Sequence, residues 1–401
     1  MNRKISLGLA LTLIIASITA TFAITMTAAQ KIYNGLISNL SSRAETYATI
    51  ENINTLVRAN YYDYKSIEDA KINLSISKGY INGLGNPNCR FLTASEYIDY
   101  KRKLEGNATG VGITAAWDNG NKSLAVTDVA PGSSASSKGV LKGDIIKKID
   151  GKKITSSNYE ELFKMLEGDN LTTVDITCDR KNETKEFKVT IGYSLVSVSG
   201  KNIDGIGYVR ISAFYGNTQS QLKNTLNSLK NEGVKGIIFD LRGTSDGSVE
   251  YAAAAVDCIT PVCSNPDELL VTLVGRNNNI IYQHASASND LNLPMMILVN
   301  GKTSGPSELF ACDLRDFEKA KLIGTTTSGV GTAQRALTLE DGSAVILTVA
   351  KIMPYKSDSF DDTGLLPDFE VKLAPEDENR IGLISDEKDL QLQKAISELA
   401  A

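Results

Sequence analysis

The spacing of apolar residues divides the chain into a helical part, a β-rich part and an alternating part. Between residues 31 and 105, apolar side chains recur at helical spacing, as at Ile53, Leu56 and Val57, which predicts short amphipathic helices. From Gly110 the pattern changes to short β-like runs around one amphipathic helix, predicted over residues 158–167. The β-like runs span residues 123–129, 144–149, 173–178 and 186–191.

After Asn202 the pattern alternates between apolar strands and helical stretches, which is typical of an α/β sheet covered by helices. The predicted strands are residues 207–211, 236–240 and 295–299, and the predicted helices are residues 219–229, 251–256 and 307–315. The fold class that follows is α/β (α+β). Its predicted regions are a helical N-terminal domain (31–105), an inserted β-rich domain (106–195), a core (200–376) and a charged helical tail (377–401).

The N-terminal segment is strongly apolar. Residues 5–26 contain no charged side chain and follow Arg3 and Lys4, so they are long enough to cross a bilayer as a helix. The positive start places the N-terminus in the cytoplasm and the bulk of the protein outside the cell membrane. A cleaved signal peptide, which would leave a secreted protein, is the alternative for residues 1–30. The apolar run is longer than a usual signal core and favours a retained single-pass anchor.

Charge, histidine and cysteine content narrow the function classes. Forty-two Lys and Arg against 47 Asp and Glu leave a net charge of −5, which gives no general electrostatic reason to expect nucleic acid as a partner. The one histidine, His284, excludes most catalytic zinc sites, and we predict neither a metal nor a cofactor. The five cysteines lack Cys-x-x-Cys spacing and are interpreted as mostly buried thiols. A Cys258–Cys263 disulfide is an alternative that the spacing does not indicate.

A glycine-containing segment marks a candidate peptide site in the β-rich part. In Gly110-Val111-Gly112-Ile113 the glycines allow successive backbone amides to point at one carboxylate. Further along lie Pro131-Gly132-Ser133, Gly143-Asp144-Ile145-Ile146 and Asp150-Gly151-Lys152. With these motifs the segment resembles a PDZ domain of the kind found in bacterial proteases.

That resemblance implies that a peptide adds a strand beside residues 111–114 and packs its side chains against the helix 158–167. The predicted peptide-binding residues are Gly110, Val111, Gly112, Ile113, Leu162 and Leu166. The alternative is a β-domain whose groove is empty and serves only packing.

Three glycine-containing turns follow apolar strands in the core, at residues 240–247, 299–309 and 323–334. Sites in open α/β sheets lie at such strand ends. Together with Leu84-Gly85-Asn86-Pro87, Asp341-Gly342-Ser343 and Gly364-Leu365-Leu366-Pro367-Asp368, these turns resemble the carboxyl-terminal processing peptidases, also called tail-specific proteases. The resemblance extends from about residue 50 to residue 372.

This resemblance implies a serine protease that uses a Ser–Lys dyad. Aligning the family's Ser-Ala-Ser-Ala-Ser-Glu with Ser307-Glu308 at its end puts the nucleophile on Gly305. Aligning Phe-Gly-Lys-Gly-Thr-Val-Gln puts the base on Val330 and retains Gln334. Both reactive side chains are then lost.

The family's Gly-Gly pair in the Asp-Leu-Arg loop is reduced here to Asp246-Gly247. Gly247 remains as a candidate oxyanion residue, next to a carboxylate whose charge would oppose an oxyanion.

A relocated dyad is the rival interpretation. Ser304 is the alternative nucleophile, and Lys302 and Lys321 are nearby in sequence, whereas Ser307 fits the N-cap of the following helix. His284 lies outside the matching motifs and is interpreted as an ordinary surface residue.

The predicted function is noncatalytic binding of polypeptide C-termini or unfolded protein segments by a catalytically degenerate member of the family. Its predicted partners include an active protease relative, a second copy of the chain, and the membrane through residues 5–26. The alternatives are an active extracytoplasmic serine endopeptidase that uses Ser304, and a purely structural oligomerisation module.

Overall fold

The computed structural model of the 401-residue chain describes residues 47–118, 122–130, 132–168, 171–261, 268–286, 291–378 and 380–400, together with residues 17, 21 and 25–27. The chain divides into two units, Met1–Ser75 and Ile76–Ala401. In these described ranges, no helix combines the length and the apolar character needed to span a bilayer. The predicted anchor, residues 5–26, lies mostly outside them and stays a prediction.

The first unit is helical where it is described. Residues 47–60 form a helix, a 3-10 turn follows at Tyr64–Ser66, and the helix Asp69–Asn82 begins in this unit. The predicted helical region does not extend unbroken to residue 105, because Arg90–Leu92 is a strand that pairs with Ala344–Pro354 of the core. The helix Ala94–Leu104 follows that strand and is capped at its N-terminus by Thr93.

The β-rich part is an antiparallel sheet around its own apolar core, in which Val126, Ile149 and Val189 are fully buried. Its six strands are Ile113–Asp118, Ser123–Val129, Ile145–Ile149, Lys152–Lys153, Thr173–Arg180 and Glu183–Thr190. The strand Ile113–Asp118 lies at one edge of this sheet. Two short helices, Ser134–Ser137 and Tyr159–Lys164, lie between the strands in sequence.

The core contains a second six-stranded sheet, in which all strands after the first run parallel. In spatial order its strands are Val198–Ile203, Ile206–Ile211, Gly236–Asp240, Met295–Val299, Ala320–Gly324 and Phe369–Glu370. Gly236–Asp240 and Met295–Val299 are buried at every residue, as expected for strands covered on both faces.

Helices cover both faces of this parallel sheet. Thr218–Asn231, Val249–Val256 and Pro306–Asp316 pack on the face that carries Ile237 and Phe239. Leu390–Ala400 packs on the opposite face, where Leu392 and Ala395 meet Ile238 and Leu298. In the described part of the predicted helical tail 377–401, the long helix therefore begins only at Leu390, after the short pieces Pro375–Glu378 and Asp386–Lys388, and that long helix belongs to the core.

Short segments complete the second unit. An antiparallel sheet contains Arg90–Leu92, Val271–Gly275, Ile280–His284, Thr332–Thr338 and Ala344–Pro354. Smaller sheets join Ala213–Phe214 with Asp246–Gly247, and Thr109–Gly110 with Glu167–Gly168 and Tyr193–Ser194. The remaining helical pieces are Arg276–Asn278, Pro375–Glu378 and Asp386–Lys388.

The helix predicted over residues 158–167 is shorter than expected. It ends at Lys164, because the carbonyl of Leu166 accepts the amide of Val111 at 3.0 Å and Glu167–Gly168 forms a strand. The strands predicted at 123–129, 236–240 and 295–299 are confirmed at both ends.

Candidate functional site

Two loops at the carboxyl ends of parallel strands are joined by hydrogen bonds. The amide of Gly243, in the loop after Gly236–Asp240, donates to Asn300 Oδ1 at 2.9 Å. The amide of Ser304, in the loop after Met295–Val299, donates to the carbonyl of Thr244 at 3.0 Å. Adjacent parallel strands end at the same edge of a sheet, so the two predicted site turns form one structure.

Ser307 is part of this connection between loops. Its buried hydroxyl donates to the carbonyl of Thr244 at 2.6 Å and accepts the amide of Ser304 at 3.0 Å. The prediction that Ser307 caps the following helix is wrong, because the helix begins at Pro306 and its N-cap is Gly305.

Gly305 and Val330 lie side by side. Gly305 has φ 58° and ψ −109°, a left-handed conformation that disfavours residues with a side chain. A Cβ atom built on Gly305 would have a single neighbour within 4 Å, the carbonyl oxygen of Val330 at 3.9 Å. The structure therefore brings together the two positions at which the sequence alignment places a nucleophile and a base.

Glu308 holds the two positions in place. Its buried carboxylate accepts the amide of Gly305 at 2.9 Å, that of Gly329 at 2.7 Å and that of Val330 at 2.9 Å. The hydroxyl of Thr327 donates to the same carboxylate. Sequence reasoning used the Ser-Glu pair only to align the motif. The signal it passed over was an acidic residue in the first turn of a helix, where free amides attract it.

The loop that carries Val330 is fixed from its other side as well. A Cβ atom on Gly329 would lie 2.8 Å from the amide nitrogen of Gly364, and one on Gly331 would lie 2.5 Å from that of Asp361. Both glycines are therefore required for this close approach. The half-buried side chain of Val330 sits between these two tight contacts.

Gln334 does not support the base position in the way the resemblance implies. Its side chain is exposed, and its amide donates to the carbonyl of Thr332 at 3.1 Å. The residue is retained in sequence, but its hydrogen bonds stay within its own strand.

Within the part of the chain that the structure describes, no hydrogen bond joins the hydroxyl of Ser304 to a lysine or to His284. Within the described ranges, the half-buried hydroxyl of Ser304 has no hydrogen-bond partner. The ammonium group of Lys321 lies over an aromatic ring. His284 ends the strand Ile280–His284 of the five-stranded antiparallel sheet, where its Nδ1 is 3.0 Å from the hydroxyl of Tyr282.

A buried ion network anchors the Asp-Leu-Arg loop. The carboxylate of Asp240 accepts Arg242 at 2.6 Å and Arg210 at 2.8 Å, and Arg242 also contacts Asp389 at 2.8 Å. Burial opposes ionisation of Asp240, but the two arginines outweigh it and hold its pKa well below the usual range. These charges are used for structure, since each is paired inside the protein.

Gly247 and Asp246 form a short strand beside Ala213–Phe214. A Cβ atom on Gly247, which has φ 121°, would lie 2.2 Å from the carbonyl oxygen of Phe214, so only glycine fits. Asp246 Oδ1 accepts the amide of Gly247 at 2.9 Å, and Asp246 Oδ2 accepts the hydroxyl of Tyr215 at 2.5 Å. The carboxylate expected beside the candidate oxyanion residue is thus bonded to that residue's amide.

The predicted carboxylate nest in the β-rich domain is smaller than expected. Gly110 pairs with Tyr193 and Glu167 in the three-stranded sheet. The amide of Val111 is bonded to the carbonyl of Leu166 at 3.0 Å. The backbones of Gly110 and Val111 are therefore engaged inside the domain, and their contact with a peptide stays a prediction. Gly112 and Ile113 remain as the predicted nest.

The strand Ile113–Asp118 offers its outer edge to a peptide. The carbonyl of Gly112 accepts the amide of Ala130 from the neighbouring strand at 2.9 Å. Ile113 pairs with Val129 across that strand. Successive amides of a strand point to alternate edges, so the amide of Ile113 faces the open side.

An aromatic pair crosses the groove between that strand and the helix Tyr159–Lys164. Trp117 stacks on Tyr159 with ring centroids 4.8 Å apart and an interplanar angle of 23°. The predicted groove residues Leu162 and Leu166 are 4% and 2% exposed, so they belong to the domain core under the groove. Sequence reasoning missed the aromatic pair.

The described ranges show no candidate metal-binding site and no candidate reactive thiol. No group of three His, Cys, Asp or Glu side chains there is arranged to hold a metal ion. Cys258 is a buried thiol whose pKa is raised by burial to about 11. Cys263, its candidate disulfide partner, lies outside the described residues.

The sequence profile of peptidase family S41 matches residues 205–371, and that of the PDZ domain matches residues 108–191. The chain belongs to the carboxyl-terminal processing peptidase family, with a PDZ domain. A protein of Staphylococcus haemolyticus named "probable CtpA-like serine protease" is 28% identical over 328 residues, which cover 81% of this chain and 64% of that protein. A protein of the same name from Staphylococcus aureus strain COL is 27% identical over 365 residues, 90% of this chain and 72% of that protein.

The chain therefore spans less than two thirds of the Staphylococcus haemolyticus relative. Among solved structures, a putative S41 protease from Bacteroides fragilis superposes with a TM-score of 0.55 at 18% identity. The superposition covers 87% of this chain and 96% of that protein. At this identity the match shows the shared fold of the family.

Proposed function

We propose that this carboxyl-terminal processing peptidase family protein binds polypeptide C-termini or unfolded segments without cleaving them. The observation that carries the proposal is the pairing of Gly305 with Val330, where a Cβ atom on the glycine would approach the valine carbonyl at 3.9 Å. A Ser–Lys dyad needs a hydroxyl on one side and an amine on the other. Glycine has no atom that can attack a carbonyl, and valine has none that can accept a proton.

The hydrogen bonds around Gly305 and Val330 support the proposal that the dyad side chains are lost while the surrounding loops are preserved. Glu308 still fixes both positions, and Ser307 still joins the two strand-end loops. Loops that are joined in this way keep their shape.

The PDZ domain supports the binding half of the proposal. Its edge strand, Ile113–Asp118, has no further strand on its outer side in the described ranges. A peptide that adds a strand there gains main-chain hydrogen bonds, and its terminal carboxylate lies near the amides of Gly112 and Ile113.

The first test compares peptides that differ only at their C-terminus. Fluorescent apolar peptides with a free carboxylate should bind at least about tenfold more tightly than their amidated forms, because the amide removes a charge-assisted hydrogen bond. Ile113→Pro, which removes an edge amide at a position where proline is tolerated, should lose this preference. Equal affinity for both peptide forms would refute the PDZ part of the proposal.

The second test addresses cleavage. Purified protein and its Ser304→Ala variant are incubated with fluorescently labelled β-casein, and we expect both to leave it intact. Cleavage by the unmodified protein that disappears in Ser304→Ala would instead establish the rival, a serine endopeptidase with a relocated nucleophile.

We also propose that residues 5–26 anchor the protein, with the bulk of the chain outside the cytoplasm. The support is the uncharged run behind Arg3 and Lys4. The full chain should sediment with membranes and be digested by protease added to intact cells, whereas a chain lacking residues 1–30 should be found in the soluble fraction. Recovery of the full chain in the soluble cytoplasmic fraction would contradict this placement.

A further inference from the structure

We propose that Pro306 and Asp246 withhold the two backbone amides that would stabilise an oxyanion, so that restoring a serine and a lysine is not sufficient to restore proteolysis. This inference rests on the proposed function, in which Gly305 and Val330 occupy the nucleophile and base positions. It adds two residues that the sequence alignment of the dyad does not include.

The first amide is missing because of Pro306. When a nucleophile lies on a turn from strand to helix, the backbone N–H of the next residue donates to the oxyanion. Here the residue after Gly305 is Pro306, the first residue of the helix Pro306–Asp316. Proline has no backbone N–H, so this donor does not exist.

Pro306 also constrains Gly305 itself. A residue that precedes proline is confined largely to extended conformations when it carries a side chain. Gly305 instead has φ 58° and ψ −109°. Because a Cβ atom there would meet only the Val330 carbonyl, at 3.9 Å, the obstacle to a serine is the backbone conformation and not the available space.

The second amide, that of Gly247, is engaged. Ser248 donates its amide to the carbonyl of Phe214 at 2.9 Å, and alternation along the strand directs the amide of Gly247 away from Phe214. Asp246 Oδ1 accepts that amide at 2.9 Å. The hydroxyl of Tyr215 and the ammonium group of Lys103, the latter at 3.6 Å, hold the same carboxylate in place.

The chemical consequence appears in the first step of acyl transfer. In a Gly305→Ser, Val330→Lys variant, the new hydroxyl oxygen bonds to the scissile carbonyl carbon and its proton passes to the neutral new amine. The C=O π pair moves onto the carbonyl oxygen, which becomes an anion. That anion would then lack the Pro306 donor, and the Gly247 amide would already be bonded to the Asp246 carboxylate. Removal of one oxyanion donor lowers kcat by about 10²–10³-fold.

The experiment compares four variants in the full chain. The dyad variant carries Gly305→Ser and Val330→Lys, and the others add Pro306→Ala, Asp246→Ala, or both. We expect background cleavage of labelled β-casein from the dyad variant, about a 10²-fold rise in kcat/KM with Pro306→Ala, and the highest value with both additions. Asp246→Asn is the matched control, because it keeps an oxygen acceptor for the Gly247 amide and should recover less activity than Asp246→Ala.

The Tm of each variant is measured alongside its kinetics. Gly305→Ser should lower the Tm less when Pro306→Ala is also present, because the constraint on a residue before proline is removed. Circular dichroism confirms that each variant is folded.

Two outcomes would overturn the inference: a dyad variant as active as the variant with both additions, or a folded variant with both additions that remains inactive. Cleavage by the unmodified protein is a separate result, and it would refute the proposed function instead.

Discussion

The PDZ domain and the peptidase-like core differ in which of their polar groups remain available to a ligand. In the PDZ domain, the strand Ile113–Asp118 lies at the sheet edge and leaves outward-facing amides open. In the core, the amides of Gly305, Gly247 and Val330 are all bonded to carboxylates of the same chain. In the described ranges, the edge strand of the PDZ domain is open to a further strand, whereas these amides of the core loops are paired within the chain.

The difference shows that the loops of the core keep their connections although Gly305 and Val330 stand at the aligned dyad positions. The loops of the core are still joined by Glu308 and by Ser307, and their glycines still allow close approach to neighbouring backbone.

The largest expected effect comes from the buried ion network of the core. Arg242→Met leaves Asp240 and Asp389 buried without their shared partner, and should lower the free energy of unfolding by about 3–5 kcal/mol. Urea denaturation measures this loss. Arg210→Met is the control, because its side chain is 27% exposed and its removal should cost clearly less. Equal losses would show that burial does not distinguish the two arginines.

A smaller loss is expected from the corresponding ion pair of the PDZ domain. Asp144, 1% exposed, accepts two hydrogen bonds of 2.6 Å from Arg180. Asp144→Asn should lower the free energy of unfolding by about 2 kcal/mol, since Arg180 stays partly hydrated. The exposed pair of Lys147 and Asp179, 3.6 Å apart, provides the control: Asp179→Asn should change stability by less than about 1 kcal/mol. A loss for Asp144→Asn as small as that control would contradict the structural role of this pair.

The aromatic pair across the groove should limit the length of peptide that the PDZ domain holds. Trp117 lies four residues beyond Ile113 along the strand, or about 13 Å away at 3.3 Å per residue, so affinity should stop rising beyond about four peptide residues. In Trp117→Ala, longer peptides should gain up to about tenfold in affinity. Tyr159→Phe keeps the stack and should behave like the unmodified protein. An unchanged plateau in Trp117→Ala would refute this limit.

The smallest effect concerns the pH dependence of core stability. Burial raises the pKa of Asp313 well above its ordinary value, and its Oδ2 has no hydrogen-bond partner within the described ranges. A raised pKa means that the folded state retains a proton which the unfolded chain releases, so this group's contribution is full below about pH 4 and declines as the pH rises. Asp313→Asn should therefore raise the Tm by a few degrees at pH 8 and change it little at pH 4.5. A difference of the same size at both pH values would contradict this assignment.

Strand positions could be predicted from sequence where the chain is fully apolar or strictly alternating. Met295–Val299 and Gly236–Asp240 were predicted at both ends because buried parallel strands are bounded by polar turns. The length of the helix predicted over residues 158–167 was overestimated, because the hydrogen bond between Val111 and Leu166 joins residues far apart in sequence. The pairing of Arg90–Leu92 with the core is non-local for the same reason.

Only the positions of Gly305 and Val330 in the aligned family motifs could be predicted from the sequence. The juxtaposition of Gly305 with Val330 follows the expected motif positions. The role of Glu308 did not emerge, because its four donors come from two distant loops. Pro306 can be read from the sequence, but the importance of its missing N–H is apparent only once Gly305 is known to be the helix N-cap.

The placement of Leu390–Ala400 on the parallel sheet sets an order for folding during synthesis. The PDZ domain is complete once residue 191 has been made, whereas the sheet face around Ile238 and Leu298 stays uncovered until Leu392 and Ala395 arrive. At typical translation rates that interval is about 10–40 s. During that interval a folded PDZ domain is tethered to an unfinished core, whose apolar face around Ile238 and Leu298, once made, is the kind of surface that chaperones bind.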